Sequence, residues 1–169
     1  MRIGTKSLLV GVHQALIHPY YVAKAWRILY GRRPTWPELL AIITHDWGYW
    51  GSPDMDGEAG TQHPARMAAW WRRRGREDVA AEIEGHSRHY SALVGAEVSR
   101  LCWADKLSMV LTPSWLYLVL ARASGELGEY MAASNGGERY TEMRRHKDPR
   151  RWLLEARAGI TMEVLEATR

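Results

Sequence analysis

From Leu39 to about Trp47 the chain is almost wholly apolar, and near its end this stretch carries an adjacent histidine and aspartate, His45-Asp46. It is introduced by Thr35 and Glu38 at the spacing of a capping box, with Pro37 in the first turn, so a helix is expected here. A helix that is apolar on every side has no face to offer water. It must run through the middle of a packed domain, and the rest of the chain has to cover it.

The covering segments also read as helices. Thr5 is placed to cap a first helix running through Val10 to about Ile17. His18-Pro19 restarts the chain, and Tyr20 to Tyr30 follows with Val22, Ala25, Trp26 and Leu29 on one face before Gly31 ends it. Gly48 to Gly60, rich in Gly, Pro and Asp, is expected to be a loop. Pro64 opens a helix with a basic end at Arg72, Arg73 and Arg74, and further helices are expected over Glu77 to about His89 and Ala96 to Leu111. Pro113 breaks the chain, Ser114 to Ala133 is helical again, and Ser134 to Gly137 is a loop. Asp148-Pro149 then caps an amphipathic helix ending near Thr168. No strand pattern, repeat or low-complexity tract interrupts this series. The expectation is an all-α, single-domain helical bundle over residues 1–169, with its core in about 11–111 and the helices of 114–169 packed on it.

Composition narrows the class of protein. A chain of 169 residues with 46% hydrophobic and 25% charged residues can bury a core, which excludes disorder as its ground state. The one cysteine, Cys102, excludes an internal disulfide framework and is consistent with a reducing compartment. Met1 to Ile17 lacks a small-x-small cleavage pattern, and the apolar run Ser108 to Ala121 is interrupted by Pro113 and falls short of the ~18 residues of a membrane span. A cytoplasmic location with no membrane partner is expected. The formal charge of +4 tilts the chain modestly toward anionic partners.

His45 and Asp46 sit at the edge of a core, where a carboxylate is costly unless it is compensated. Either a metal cation or a plain Asp–His hydrogen bond would do so. Other groups of the same chemistry fall at helix starts and on apolar faces. His18 and His63 each precede a proline, His86 and His89 are three apart and expected on one helix face, and Asp105 interrupts the apolar run Leu101-Cys102-Trp103-Ala104.

In this ordered set the chain resembles the HD superfamily of metal-dependent phosphohydrolases. The resemblance is carried by His18, by His45-Asp46 within Thr44-His45-Asp46-Trp47-Gly48-Tyr49, and by His63-Pro64, His86 and Asp105 in Ala104-Asp105-Lys106-Leu107-Ser108. It spans roughly Gly11 to Leu111. It implies that His18, His45, Asp46 and Asp105 bind one metal ion, with His63 and His86 binding a second bridged by Asp46. His13 is the alternative to His18 as first ligand. Tyr49 stands where the mononuclear nucleotidase branch has a glutamate, which favours the two-metal arrangement.

Mixed imidazole and carboxylate ligands suit Fe, Mn, Co, Ni or Zn. The likeness implies hydrolysis of a phosphate ester or anhydride in a small phosphorylated metabolite, with a nucleotide as the expected substrate. Asp46, Lys106 and His89 are then the expected catalytic residues, and Arg66, Arg88 and Lys106 the expected phosphate contacts. His89 could instead hydrogen-bond to a ligand, and each basic residue has the plain alternative of a solvated surface charge. The loop 48–60 is read either as a lid or substrate-selecting edge, or as a polar connector; it lacks the ligand series of a calcium loop. Trp47, Tyr49 and Trp50 are read either as stacking groups for a base or as core. Competing activities are a di-iron HD-type oxygenase acting on a small organic or organophosphonate substrate and an HD-type nuclease. A nuclease would use the basic segments Arg72 to Arg76 and Arg144 to Arg151. A ligand-binding protein without catalysis is a further alternative, and Trp115, Leu116 and Tyr117 are candidates for a homo-oligomer interface.

Overall fold

The computed structural model describes residues 1–136 and 148–168. Helices α1 (Ile3–Val10), α2 (Ile17–Tyr30), α3 (Trp36–Thr44), α4 (Glu58–Thr61), α5 (His63–Arg72) and α6 (Glu77–Glu84) are followed by α7 (Arg88–Val94), α8 (Arg100–Leu111), α9 (Ser114–Ser124), α10 (Glu126–Gly136) and α11 (Pro149–Ala167). No strand occurs among the described residues, and the chain is an all-α domain. No helix among them is long and apolar enough to cross a membrane.

α3 is the central element the sequence calls for. Its N-terminus closes with the expected capping box, the Thr35 amide donating to Glu38 Oε2 at 2.7 Å. Ala41 and Ile42 are fully buried against Val22, Trp26, Met67, Ile83 and Leu101, so α2, α5, α6 and α8 enclose it. The Trp71 indole N–H donates to Thr44 Oγ1 at 2.9 Å and ties the end of α3 to α5. A second core of Tyr117, Leu118, Ala121, Leu127, Trp152 and Leu153 joins α9, α10 and α11. α11 packs along α8 and α1 along α9.

Four expected helices are interrupted where the chain has a local reason to turn. The first stops at Val10 instead of reaching Ile17, and Arg2, not Thr5, occupies its N-cap; Thr5 Oγ1 accepts the Gly51 amide at 2.9 Å. The central helix tightens at His45–Tyr49 into a 3-10 turn. There Gly48 passes so close to α5 that a Cβ would lie 2.0 Å from the His63 carbonyl oxygen. The helix expected over 77–89 ends at Gly85, and Ser87 opens a new one by accepting the Tyr90 amide, so His86 and His89 do not share a helix. The helix expected from Ser114 to Ala133 breaks at Gly125, whose φ of +94° is a conformation only glycine adopts freely. Residues 134–136, read as loop, are helical; Gly137 and positions 144–147 of the basic C-terminal segment lie outside the described residues.

Candidate metal centre

Each of the interruptions around α3 delivers a side chain to one place. The 3-10 turn carries His45 and Asp46, the start of α5 carries His63, the turn after α6 carries His86, α2 carries His18 and α8 carries Asp105. Asp46, buried, is the hub. Its Oδ2 lies 3.2 Å from His18 Nε2 and 3.1 Å from His45 Nε2, and its Oδ1 lies 3.8 Å from His63 Nε2 and 3.7 Å from His86 Nε2. Asp105 Oδ1 completes the first side at 3.0 Å from His18 Nε2 and 3.7 Å from His45 Nε2. Two triads, His18–His45–Asp46 and Asp46–His63–His86, each have ligand atoms within 4.8 Å of one another.

Proton placement in these imidazoles follows from their outer contacts. His45 Nδ1 meets the Ile42 carbonyl at 2.9 Å, His63 Nδ1 meets the Gly60 carbonyl at 2.7 Å, and His86 Nδ1 meets the Ile83 carbonyl. A carbonyl only accepts, so all three Nδ1 atoms must carry hydrogen, and wherever such a ring is neutral it turns a bare Nε2 lone pair inward. His63 Nε2 and His86 Nε2 face each other at 2.9 Å, and with both rings neutral no hydrogen lies between them. Burial and the neighbouring His86 hold His63 well below its ordinary pKa, so His63 Nε2 keeps its lone pair. Asp46 Oδ2 is buried and has no hydrogen-bond partner. Opposed lone pairs beside an orphaned carboxylate oxygen are what a cation would satisfy, and backbone carbonyls behind the rings are the usual outer support of histidine ligands.

The charge balance agrees. Burial by itself would raise the carboxyls of Asp46 and Asp105, but His45 and His18 hold both well below the usual range, so both are ionised. His45 is lowered by burial but more strongly raised by Asp46 and Asp105, to about 10. The cluster thus demands positive charge, and protons or a metal can supply it.

His18, not His13, stands in the ligand cluster. His13 lies beside it, ring centroids 5.4 Å apart, and binds Glu126 through Nδ1–Oε1 at 2.6 Å. Burial lowers His13, but Asp46 and Glu126 outweigh it and raise the ring to about 9. Glu126, fully buried at the start of α10, also accepts from Ser7 Oγ at 2.7 Å, the Val12 amide at 3.1 Å, Tyr130 at 3.1 Å and Ser124. Sequence reasoning missed this centre. Glu126 resembles an ordinary acid in a helix's first turn, and the one available signal was Gly125 before it.

The expected substrate contacts separate in space. Lys106 and Arg88 line a cavity that also exposes His18 and Asp105. Arg88 Nη1 is paired with Glu163 at 2.8 Å. Arg66 instead donates its Nε to the Gly48 carbonyl at 2.8 Å, which braces the 3-10 turn. His89 is exposed on α7 and belongs to neither triad. Tyr49 is buried and stacks on His63 at 3.7 Å, whereas Trp47 and Trp50 are exposed. The loop after the 3-10 turn is anchored by buried Met55 and by Asp54, whose Oδ1 accepts the Gly60 amide at 2.6 Å, while Asp56 reaches the cavity. No family model, curated protein or solved structure matches the chain. The assignment therefore rests on the geometry and on the resemblance in the motif residues.

Proposed function

We propose that the protein is a two-metal phosphohydrolase of the HD type that cleaves a phosphate ester of a small metabolite. The observation that carries this reading is the paired triad, in which Asp46 offers one oxygen to each side and His63 Nε2 and His86 Nε2 face each other at 2.9 Å. His18, His45, Asp46 and Asp105 would hold one ion, and Asp46, His63 and His86 the other. Bound transition-metal ions supply Lewis acidity there, lowering the pKa of water and polarising a phosphoryl oxygen.

The chain's own part is positioning and charge. Asp105 and His18 face the cavity, so the scissile phosphate is brought to that side of the cluster. Lys106, next to Asp105 and without an ion-pair partner among the described residues, offsets phosphate charge. Water oxygen bonds to phosphorus and the P–O ester bond breaks. One proton of the water passes to the departing alkoxide and the other stays with the phosphate, giving an alcohol and inorganic phosphate.

The test is metal analysis of purified wild type and of His45→Ala/Asp46→Ala, together with phosphate release from a panel of phosphate monoesters that includes nucleotides. Close to two transition-metal ions per chain, lost in the double variant together with phosphate release, is the expected result. A wild type that takes up no Mn, Fe, Co, Ni or Zn and stays inactive overturns it. Iron-loaded protein that consumes dioxygen and releases no phosphate overturns it in favour of the oxygenase.

A further inference from the structure

The cavity beside the metal cluster has a volume of about 400 Å³ and lies between α2, α8, α9 and α11. One end is His18 and Asp105, with Lys106 next to them. Away from that end the wall is apolar, formed by Val12, Ile17, Met109, Leu120, Trp152 and Ile160. Cavities of a few hundred Å³ with an apolar wall and a few convergent polar groups are the usual form of a small-molecule site.

Much of the charge among the described residues of this cavity is already paired. Among the described residues its cations are Lys106, Arg88 and His13, and Arg88 is paired with Glu163 and His13 with Glu126. Its carboxylates are Asp56 and Asp105, besides Glu163 and Glu155, which pair with Arg88 and Arg151. Along the apolar wall the polar edges of a base and sugar would leave water with few partners to replace it, which disfavours a nucleotide. A single phosphate at the His18–Asp105 end, carrying a hydrocarbon body, meets no such conflict. Its charged group faces the metal cluster and Lys106, and its apolar surface leaves water for the wall.

We propose that the substrate is a phosphate monoester of an apolar alcohol, whose hydrocarbon body fills this cavity while its phosphate lies at the His18–Asp105 end. The substrate class rests on the phosphohydrolase reading, but occupation of the cavity by a hydrocarbon body does not. Burying one more methylene tightens association by about fourfold. Affinity should therefore climb along a series of alkyl chains until the cavity is full and then level off.

Gly159 supplies the variant. It lines the cavity from α11, and a Cβ built there meets nothing within 4 Å, so Gly159→Trp is placed to reach the cavity without a backbone clash. Gly128→Trp, on α10 and equally open, is the control outside the cavity. Binding of 1-butanol, 1-hexanol and 1-octanol is measured by calorimetry on the full chain, and phosphate release is measured for methyl, butyl and octyl phosphate and for a nucleoside monophosphate. The expected result is 1-octanol binding at least about 10-fold tighter than 1-butanol, and kcat/KM for octyl phosphate at least about 100-fold above methyl phosphate and above the nucleotide. Gly159→Trp should flatten both series and Gly128→Trp should leave both steep. Equal binding of the alcohols, a nucleotide preferred over octyl phosphate, or a steep series in Gly159→Trp overturns the proposal. If no ester releases phosphate but the alcohol series is steep and is flattened by Gly159→Trp, the cavity's apolar occupant stands and the phosphohydrolase reading falls. If methyl phosphate and nucleotides are cleaved while the alcohol series is flat, the hydrolase stands and the apolar substrate falls.

Discussion

Asp46 and Glu126 are both buried carboxylates at the edge of the apolar interior, and they are satisfied in opposite ways. Glu126 is surrounded by donors from its own chain: Ser7, His13 and Tyr130 reach one oxygen, the Val12 amide and Ser124 the other. Asp46 Oδ2 has two imidazole nitrogens at contact distance and no hydrogen bond. A buried charge that the fold itself neutralises is a structural element, joining α1 and the turn after it to α10. A buried charge ringed by imidazole nitrogens, with one oxygen left without a hydrogen bond, is a place for a ligand. The difference separates stability from activity, and substitutions at the two positions should separate them as well.

The largest effect is expected at Asp46. Asp46→Asn removes the only carboxylate shared by the two triads, so bound metal should fall below one ion per chain. Phosphate release should fall by more than about 100-fold, beyond what loss of an outer hydrogen bond to a ligand causes. Metal content and steady-state rates measured on the same preparation check this. Full metal occupancy in Asp46→Asn would place Asp46 in the same class as Glu126 and erase the contrast.

The residues of the cluster were legible because proline and the apolar background mark them: His18 and His63 precede prolines, and His45-Asp46 and Asp105 interrupt runs that otherwise belong to the core. The geometry that unites them was less so. His86 reads as part of a continuous helix with His89, whereas Gly85 and Ser87 end one helix and cap the next, freeing His86 to turn toward Asp46. Those two residues are a readable stop and start signal within the span expected as one helix. The Glu126 centre was hidden for a different reason. Its partners Ser7 and His13 lie more than 110 positions away in sequence, and no local pattern encodes a contact made by the closing of α10 on α1.

Glu126→Gln is the next test. The amide keeps the volume but breaks the buried pair with His13, which should cost about 3 kcal/mol, or roughly 6–12 °C in Tm for a chain of this length. Burial raises the Glu126 carboxyl, but His13, Ser124 and Ser7 hold it below its ordinary value. Its contribution is therefore present above about pH 4.5 and lost as pH falls through the depressed folded value. Metal content should be retained. Loss of metal with unchanged Tm would mean that Glu126 serves the cluster and not the fold.

A smaller and opposite effect comes from adding the ion. At a free metal concentration of 100 times its Kd, the wild type should gain about 2.7 kcal/mol. Glu126→Gln should start lower and gain the same, and Asp46→Asn should gain nothing. Thermal melts with and without chelator give all three values. A wild type indifferent to metal would remove the cation from the account of Asp46.

The smallest test uses a carboxylate near the surface as a calibration of the Glu126 case. Glu38 is held by the Arg32 guanidinium, with Nη2 to Oε1 at 2.6 Å, and accepts the Thr35 amide that closes the cap of α3. Burial opposes ionisation, but the Arg32 hydrogen bond prevails and lowers Glu38 to about 2. Because the folded pKa is depressed, the stabilisation is complete above the unfolded value of about 4.5 and disappears as pH falls through about 2. Arg32 is over a third exposed, so the ion pair is screened and the expected loss in Glu38→Gln at neutral pH is only about 1 kcal/mol. Urea unfolding of wild type and Glu38→Gln at descending pH should show that difference shrinking between about pH 4.5 and 2. A difference that stays constant across the range would mean that Glu38 acts through the shape of the cap alone. In that event charge satisfaction by the chain's own donors would not be a sufficient account of Glu126 either.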